Sequence, residues 1–282
     1  MNPSSRETDR KPADRIAQEV RLDRDGPVAT LTLCRPAALN ALTAGMFAEL
    51  RAIGSDLPGD VRVVVVRGEG RAFCAGIDLA LIGADPGADR GAGGGAGLGA
   101  GSGLAEMLAE IADLPPAEAD ARIQRFQAAF DWLRRPDLVS VAAVRGFAIG
   151  AGLQLALACD LRILADDARL AMAETSHGLV PDLGGTRRLV ELVGYARALE
   201  LCLTGRQVRA EEAERIGLAT EIAPADRLDE AVRALVAAVL RAPRDAVVEV
   251  KALLAAASLR DFSAQEAAER ADRGKSRFLA AA

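Results

Sequence analysis

An apolar run, Val141-Ala142-Ala143-Val144, ends at an elbow of small residues, Gly146-Phe147-Ala148-Ile149-Gly150-Ala151-Gly152, which passes into a helix-like stretch from Leu153 to Ala158. A strand that turns so tightly into a helix leaves the first helical N–H groups without partners, and these favour negative charge. Small side chains at 150 to 152 let a ligand oxygen approach those groups closely. The same residues also fit a helix packed tightly on a sheet, and on this stretch alone the two readings weigh equally. A second elbow repeats the pattern. The continuous apolar run Val61 to Val66 reads as a strand buried on both faces. It leads through Gly68-Glu69-Gly70 into Arg71-Ala72-Phe73-Cys74-Ala75-Gly76-Ile77-Asp78-Leu79.

The remaining segments surround these two elbows with alternating strands and helices. Ile16 to Leu22 and Val28 to Leu33 alternate as strands do, and Asp23-Arg24-Asp25-Gly26 between them is a hairpin signal, because an Asp-Gly pair tolerates positive φ. Past Arg35-Pro36 and Asn40-Ala41-Leu42, a helix is predicted to begin near Thr43, with Met46, Phe47, Leu50 and Ile53 on one face. From Gly83 to Gly103 ten of 21 residues are glycine, a composition that buries too little apolar surface to offset its ordering entropy, so a mobile insertion is expected. It contains no Gly-x-Gly-x-x-Gly and no Gly-Lys-Ser/Thr, so it is not read as a nucleotide loop.

Helical patterning covers Leu104 to Ile111, breaks at Pro115-Pro116 and resumes from Ala117 to Arg135, with Ile123, Phe126, Phe130 and Leu133 as a buried stripe and Trp132 as core or interface. Leu138 to Val144, Leu161 to Leu164 and Leu170 to Ala173 read as further strands, and the alternation points to an α/β fold. Beyond Gly185 the pattern is mostly helical, with Leu218 to Ile222 as the one strand expected there. These segments divide the chain into a disordered tail over 1–14, an α/β core over 15–205 carrying the 83–103 insertion, and a helical C-terminal oligomerisation subdomain over 206–282.

Composition removes several classes of function. The net charge is −5, without a basic block and with 3% aromatic residues, which argues against a nucleic-acid surface built from basic grooves and stacking rings. Cys34, Cys74, Cys159 and Cys202 form no Cys-x-x-Cys pair and His177 is the sole histidine, so neither a zinc site nor a disulfide framework is supported. No apolar run reaches the ~18 residues of a membrane span, and the first residues lack the apolar core of a signal peptide. A reduced, cytoplasmic location is expected, with no membrane partner and no metal.

Four signals, in this order, resemble the crotonase superfamily, the enoyl-CoA hydratase/isomerase family: Asn40-Ala41-Leu42 after Arg35-Pro36, the Arg71 to Asp78 elbow, the Gly146 to Asp160 block, and Gly178-Leu179-Val180-Pro181-Asp182-Leu183-Gly184-Gly185-Thr186. Leu203-Thr204-Gly205, with Glu211-Glu212-Ala213 and Gly217-Leu218, extends the match to about Pro224. The tail, the glycine insertion and the far C-terminus fall outside it, and the last of these lacks the Phe and Lys-Arg pattern with which many members end. The resemblance implies a crotonase-like spiral of strand-strand-helix turns, a homotrimer or homohexamer with C-terminal helices at subunit contacts, and an acyl-CoA substrate. Coenzyme A is then part of the substrate, and no separate cofactor is implied.

By position, the resemblance carries the family's oxyanion hole onto the backbone N–H groups of Ile77 and Ala151, where a thioester oxygen would take up negative charge. Ala151 replaces the usual glycine, a change that spares a backbone donor. Arg35 and Arg71 flank the elbows and are read as coenzyme A contacts, with ordinary surface arginines as the alternative; Ala75, Gly76 and Gly150 line the substrate's path, and Lys275 is placed by analogy near a neighbouring subunit's ligand. Glu174 matches the family's second catalytic glutamate and is the expected general base. Gln154 stands where hydratases carry a glutamate; an amide can bond a water but cannot take its proton, so hydration is in doubt. Asp182, eight residues after Glu174, falls at the spacing of the acid pair in dienoyl-CoA isomerases, and two carboxylates near an apolar pocket push their pKa values apart, leaving one acid and one base. An Asp in a Pro-Asp turn is the alternative. His177 reads as a loop residue near the site mouth and Cys74 as packing. The expected activity is double-bond isomerisation through an enolate, with enoyl-CoA hydration and acyl-CoA binding without turnover as alternatives.

Overall fold

A computed structural model describes residues 18–78 and 114–272. The 1–14 tail, the 83–103 insertion, the Leu104 to Ile111 helix and Lys275 lie outside the described residues.

Two sheets organise the chain. The larger has six strands in the order β1-β2-β3-β4-β6-β9, and the smaller has three in the order β5-β7-β8. β1 (Val20–Asp25) and β2 (Val28–Leu33) form an antiparallel hairpin. Its turn is Gly26-Pro27, two residues shorter than the sequence suggests, because the ladder pairs Asp25 with Val28 and Gly26 takes φ +53°. β2, β3 (Val63–Gly68), β4 (Val139–Val144), β6 (Leu161–Ala165) and β9 (Glu221–Ala223) are then all parallel.

The continuous apolar sequence of β3 and β4 follows from burial on both faces. Side chains alternate across a strand, and the strands divide accordingly: Val64, Val66, Ala142 and Val144 join the main core, while Val63, Val65, Val139, Val141 and Ala143 meet Leu228, Val232 and Val236 of the helix α7 (Leu228–Arg241). The main core takes in α1 (Ala44–Asp56), which starts where expected and is capped by the Thr43 hydroxyl accepting from the Met46 amide at 3.1 Å. Against it packs α2 (Pro116–Asp131), continued by a 3₁₀ turn at Trp132–Arg134; Trp132 is core, its indole N–H donating to the Ala129 carbonyl. Phe47 meets Phe126 with ring centroids 4.9 Å apart.

Because β3 and β4 are parallel and in register, Val66 beside Ala142 and Arg67 beside Ala143, both strands release the chain at the same edge of the sheet. That edge, at the carboxyl ends of parallel strands, is where α/β folds place ligands.

The short strands β5 (Phe147–Ile149) and β8 (Val208–Arg209), three and two residues long, pair with β7 (Arg169–Ala171). Neither was expected, since two or three residues show no period. The expected boundary near Gly205 does not separate two cores: β9 closes the large sheet at its edge, and α7 covers one face of it. Of the later helices α8 (Arg244–Ala257) and α9 (Phe262–Asp272), α8 buries no residue fully and packs the partly buried Val247 against that core. Lys251 of α8 nevertheless reaches in, donating to Asp160 Oδ2 and to the Leu138 carbonyl, each at 2.7 Å.

Candidate active site

The first elbow is built by Asn40. It lies in the left-handed region at φ +57°, which asparagine tolerates better than most residues. Its fully buried side chain donates to the Glu69 carbonyl at 3.0 Å and the Ala72 carbonyl at 2.8 Å, and accepts the Arg35 amide at 2.9 Å. Leu42 then pairs with Ile77 as an isolated parallel bridge, donating to the Gly76 carbonyl while its own carbonyl accepts the Asp78 amide. In that pattern the Ile77 N–H faces away from Leu42.

The second elbow is fixed to the first by backbone. Cys74 donates to the Phe147 carbonyl and accepts from Ile149, at 2.9 and 3.0 Å. Gly152 makes this approach possible: a Cβ there would stand 2.2 Å from the Cys74 carbonyl oxygen. Gly150, at φ +53° and ψ −121°, turns the chain into α3 (Ala151–Ala158) through a conformation open to glycine. Ala151 is the first residue of that helix, so its N–H has no partner within it. A Cβ on Gly76 would stand 3.8 Å from that nitrogen. The structure thus brings the Ile77 and Ala151 elbows side by side.

Glu174 begins a 3₁₀ turn (Glu174–His177) just after β7 and lies over Gly150, whose Cβ would be 3.5 Å from Glu174 Oε1. Gln154, on α3 and buried, donates from Nε2 to that Oε1 at 2.7 Å, while its own Oε1 accepts from the amides of Leu183 at 2.9 Å and Gly185 at 3.2 Å. Those two donors fix which way the amide points. The other carboxylate oxygen, Glu174 Oε2, is buried with no partner among the described residues. Burial lifts the Glu174 carboxyl above the usual carboxylate range, the hydrogen bonds from its own amide and from Gln154 oppose this, and the charge of Asp182 adds to it. Asp182 is exposed as a residue, yet the atoms crowding its carboxyl lift it as well. The Glu174 carboxyl therefore lies over the second elbow, feels the charge of Asp182 and carries a bonded amide.

The other expected residues fall differently. Arg35 is engaged inside the protein, its guanidinium bonded to Glu19 at 3.0 Å, Asp78 at 3.0 Å and the Ala41 carbonyl at 2.6 Å. It ties the N-terminal hairpin to the elbow, and those donors are not presented to solvent. Arg71 is exposed at the elbow's start, with no ion pair among the described residues. Ala75 donates to the Leu39 carbonyl and Gly76 is buried between the elbows. His177 is exposed. Cys74 is fully buried and its thiol is pushed up to about 12 by burial, as a packing residue requires.

Two residues near the site carried no sequence signal. Gln127 of α2 donates to the Asp182 carbonyl at 2.7 Å, and Arg134 donates to the Gly184 carbonyl at 3.3 Å. Both sit on the outer side of a helical segment, where polar residues are expected anyway.

This architecture recurs in known proteins. The sequence profile described as "Enoyl-CoA hydratase/isomerase" matches residues 23–95 and 91–275. The chain is 34% identical over 219 residues to a protein of Mycobacterium bovis named a probable enoyl-CoA hydratase, spanning 77% of this chain and 73% of that one. It is 31% identical over 205 residues to a peroxisomal Delta(3,5)-Delta(2,4)-dienoyl-CoA isomerase of Arabidopsis thaliana, spanning 72% and 68%. A Thermobifida fusca protein described as an enoyl-CoA hydratase, solved in complex with CoA, superposes with a TM-score of 0.80 at 45% identity and covers 94% of this chain and 95% of its own. The same protein has been solved with acetoacetyl-CoA.

Proposed function

This chain belongs to the enoyl-CoA hydratase/isomerase family, and from that premise we propose that it shifts a carbon–carbon double bond in an acyl-CoA thioester through an enolate. The observation that carries this reading is the Gln154–Glu174 hydrogen bond of 2.7 Å, which leaves one buried carboxylate oxygen of Glu174 without a partner beside the two elbows.

In this mechanism, Glu174 takes a proton from the carbon next to the thioester carbonyl. The electron pair moves onto the thioester oxygen, which the Ile77 and Ala151 amides hold. Asp182 in its acid form returns a proton to a more distant carbon, the double bond moves, and no water is consumed. The proton gained by Glu174 and lost by Asp182 is re-equilibrated between them or with solvent. Removing one donor from such a hole costs roughly 2.7–4 kcal/mol of transition-state stabilisation, so the two amides carry more of the rate than the Ile77 and Ala151 side chains. Ala75, Gly76 and Gly150 line the thioester, and the exposed Arg71 is the basic group beside the elbows for the nucleotide end. The complexes of the Thermobifida fusca protein with CoA and acetoacetyl-CoA support the substrate class.

Hydration is the second reading, favoured by the hydratase names of most relatives. It needs a water activated at the β-carbon, and here Gln154 is turned to Glu174 and to the Leu183 and Gly185 amides. An acyl-CoA panel in heavy water, read by mass spectrometry, separates the two. Isomerisation exchanges carbon-bound hydrogen without adding water. Rapid hydration of a short trans-2-enoyl thioester, with 3-enoyl and 3,5-dienoyl thioesters untouched, would overturn the isomerase reading.

The same proposal includes assembly as a trimer or hexamer. It is supported by large apolar side chains left open on the later helices and their junction, among them Tyr195, Leu203, Leu254, Leu259 and Phe262, each at least 66% exposed. None of the described helices is long and apolar enough to cross a membrane, so these faces are not membrane spans. Light scattering that shows a monomer across a wide concentration range would contradict the assembly.

A further inference from the structure

The segment from Asp182 to Gly185 is held at four backbone groups, one on each residue. The Asp182 carbonyl accepts from Gln127 at 2.7 Å, the Leu183 amide donates to Gln154 at 2.9 Å, the Gly184 carbonyl accepts from Arg134 at 3.3 Å, and the Gly185 amide donates to Gln154 at 3.2 Å. The Leu183 side chain is buried beneath them. The amides are gripped from α3, and the carbonyls from α2 and the 3₁₀ turn that continues it. Every one of these bonds goes to main chain, so what they fix is the place from which the Asp182 side chain projects.

The grip by Arg134 is not that of a well-formed ion pair. Its Nη1 lies 3.8 Å from Asp131 Oδ1, and its Nε is buried with no partner among the described residues. A guanidinium kept in such a setting costs stability. The contact it does make is with the peptide of the loop that presents Asp182. Gln127 likewise extends its amide across 55 residues of sequence to the carbonyl of Asp182 itself.

We propose that Gln127 and Arg134 are positioning residues that hold Asp182 where it returns the proton, so that the α2 segment sets the rate of the double-bond shift without taking part in acyl-CoA binding. This rests on the reading of Asp182 as the proton-returning acid. A displacement of about 1 Å in a reacting group can cost on the order of 100-fold in rate, and loss of either bond releases one end of a four-residue segment.

The test combines single and double variants, Gln127→Met, Arg134→Met, Arg134→Lys and Asp182→Asn, with melting temperature as the check on folding. Two rates are read in heavy water: exchange of the hydrogen next to the thioester, which needs Glu174 and the amides, and completion of the double-bond shift, which also needs Asp182. Gln127→Met and Arg134→Met are expected to slow the shift by about 10- to 100-fold, to leave exchange and KM within about two-fold, and to move the basic limb of the pH profile. Arg134→Lys, which keeps a donor, is expected to retain more of the rate. In the Asp182→Asn background neither substitution should slow the reaction further, because the group being positioned is gone. Equal loss of exchange and shift, or losses that add in full to that of Asp182→Asn, would overturn the proposal. An Asp182→Asn variant that shifts the double bond at the native rate would instead overturn the reading of Asp182, and this inference with it. If one of the two methionine variants does not fold, the other decides the outcome.

Discussion

Gln154 and Glu174 are joined by a hydrogen bond of 2.7 Å from amide to carboxylate, and the two amides that hold the Gln154 carbonyl leave its NH2 group facing Glu174. Gln154 is thus first a partner of the base, and only through that a substitute for a water-binding acid. Four expected outcomes follow from this arrangement and its supports.

Gln154→Glu keeps an oxygen for the Leu183 and Gly185 amides but sets a second carboxyl against Glu174. Like charges so close cannot both ionise, so the pair shares a proton and the apparent pKa of the base rises. The acidic limb of kcat/KM against pH should move upward, and hydration of a trans-2-enoyl thioester should rise relative to isomerisation. An unchanged pH profile would contradict the pairing.

Glu174→Gln should abolish turnover while leaving the fold intact. Burial raises the Glu174 pKa, and Asp182 is raised in the same direction. The base form of Glu174 is therefore lost as pH falls through a value above the ordinary carboxylate range, and the acid form of Asp182 persists to higher pH than usual, giving a bell-shaped activity profile. For stability the sign is the reverse of an ion pair. The contribution of each raised group is fully present below its unfolded pKa and is lost as pH rises through its folded pKa. Removing the buried, unpartnered charge should make Glu174→Gln more stable than the native protein at pH 7, by about 1 kcal/mol, and equal to it near pH 4. Urea denaturation at the two pH values checks this.

Gly152→Ala would drive a methyl group into the Cys74 carbonyl, 2.2 Å from where its Cβ must sit. The elbows must separate, at a cost of about 1–3 kcal/mol for overpacking. Activity should fall by more than stability accounts for, because the Ile77 and Ala151 amides move apart. Thermal melts and kcat measured on the same preparation will show whether the two losses diverge.

Lys251→Ala should destabilise the chain by about 3 kcal/mol. Asp160 would keep its contacts with the Ser140 amide and hydroxyl but lose its cation, and both partners are largely buried, with side chains 13% and 20% exposed. The site lies elsewhere, so kcat for folded protein should change little. The urea midpoint measures the first effect and steady-state kinetics the second.

The amino-acid sequence alone determined the strand and elbow at Val63 to Ile77, the strand–elbow–helix unit at Val139 to Ala158, the helix start near Thr43 and the candidate base Glu174. Apolar periodicity, glycine placement and caps act over a few residues and are written locally. It did not determine what the polar side chains bond to. Arg35 reads as a ligand contact until Glu19 and Asp78 are seen to hold it, and Gln154 reads as a water site until Glu174, Leu183 and Gly185 surround it. Gln127 and Asp182 lie 55 positions apart, and Lys251 and Asp160 lie 91 apart. A hydrogen bond needs its partners within about 3 Å, and only the packing of distant segments decides which groups come that close. The short strands β5 and β8 belong with these, because they exist only through β7 between them.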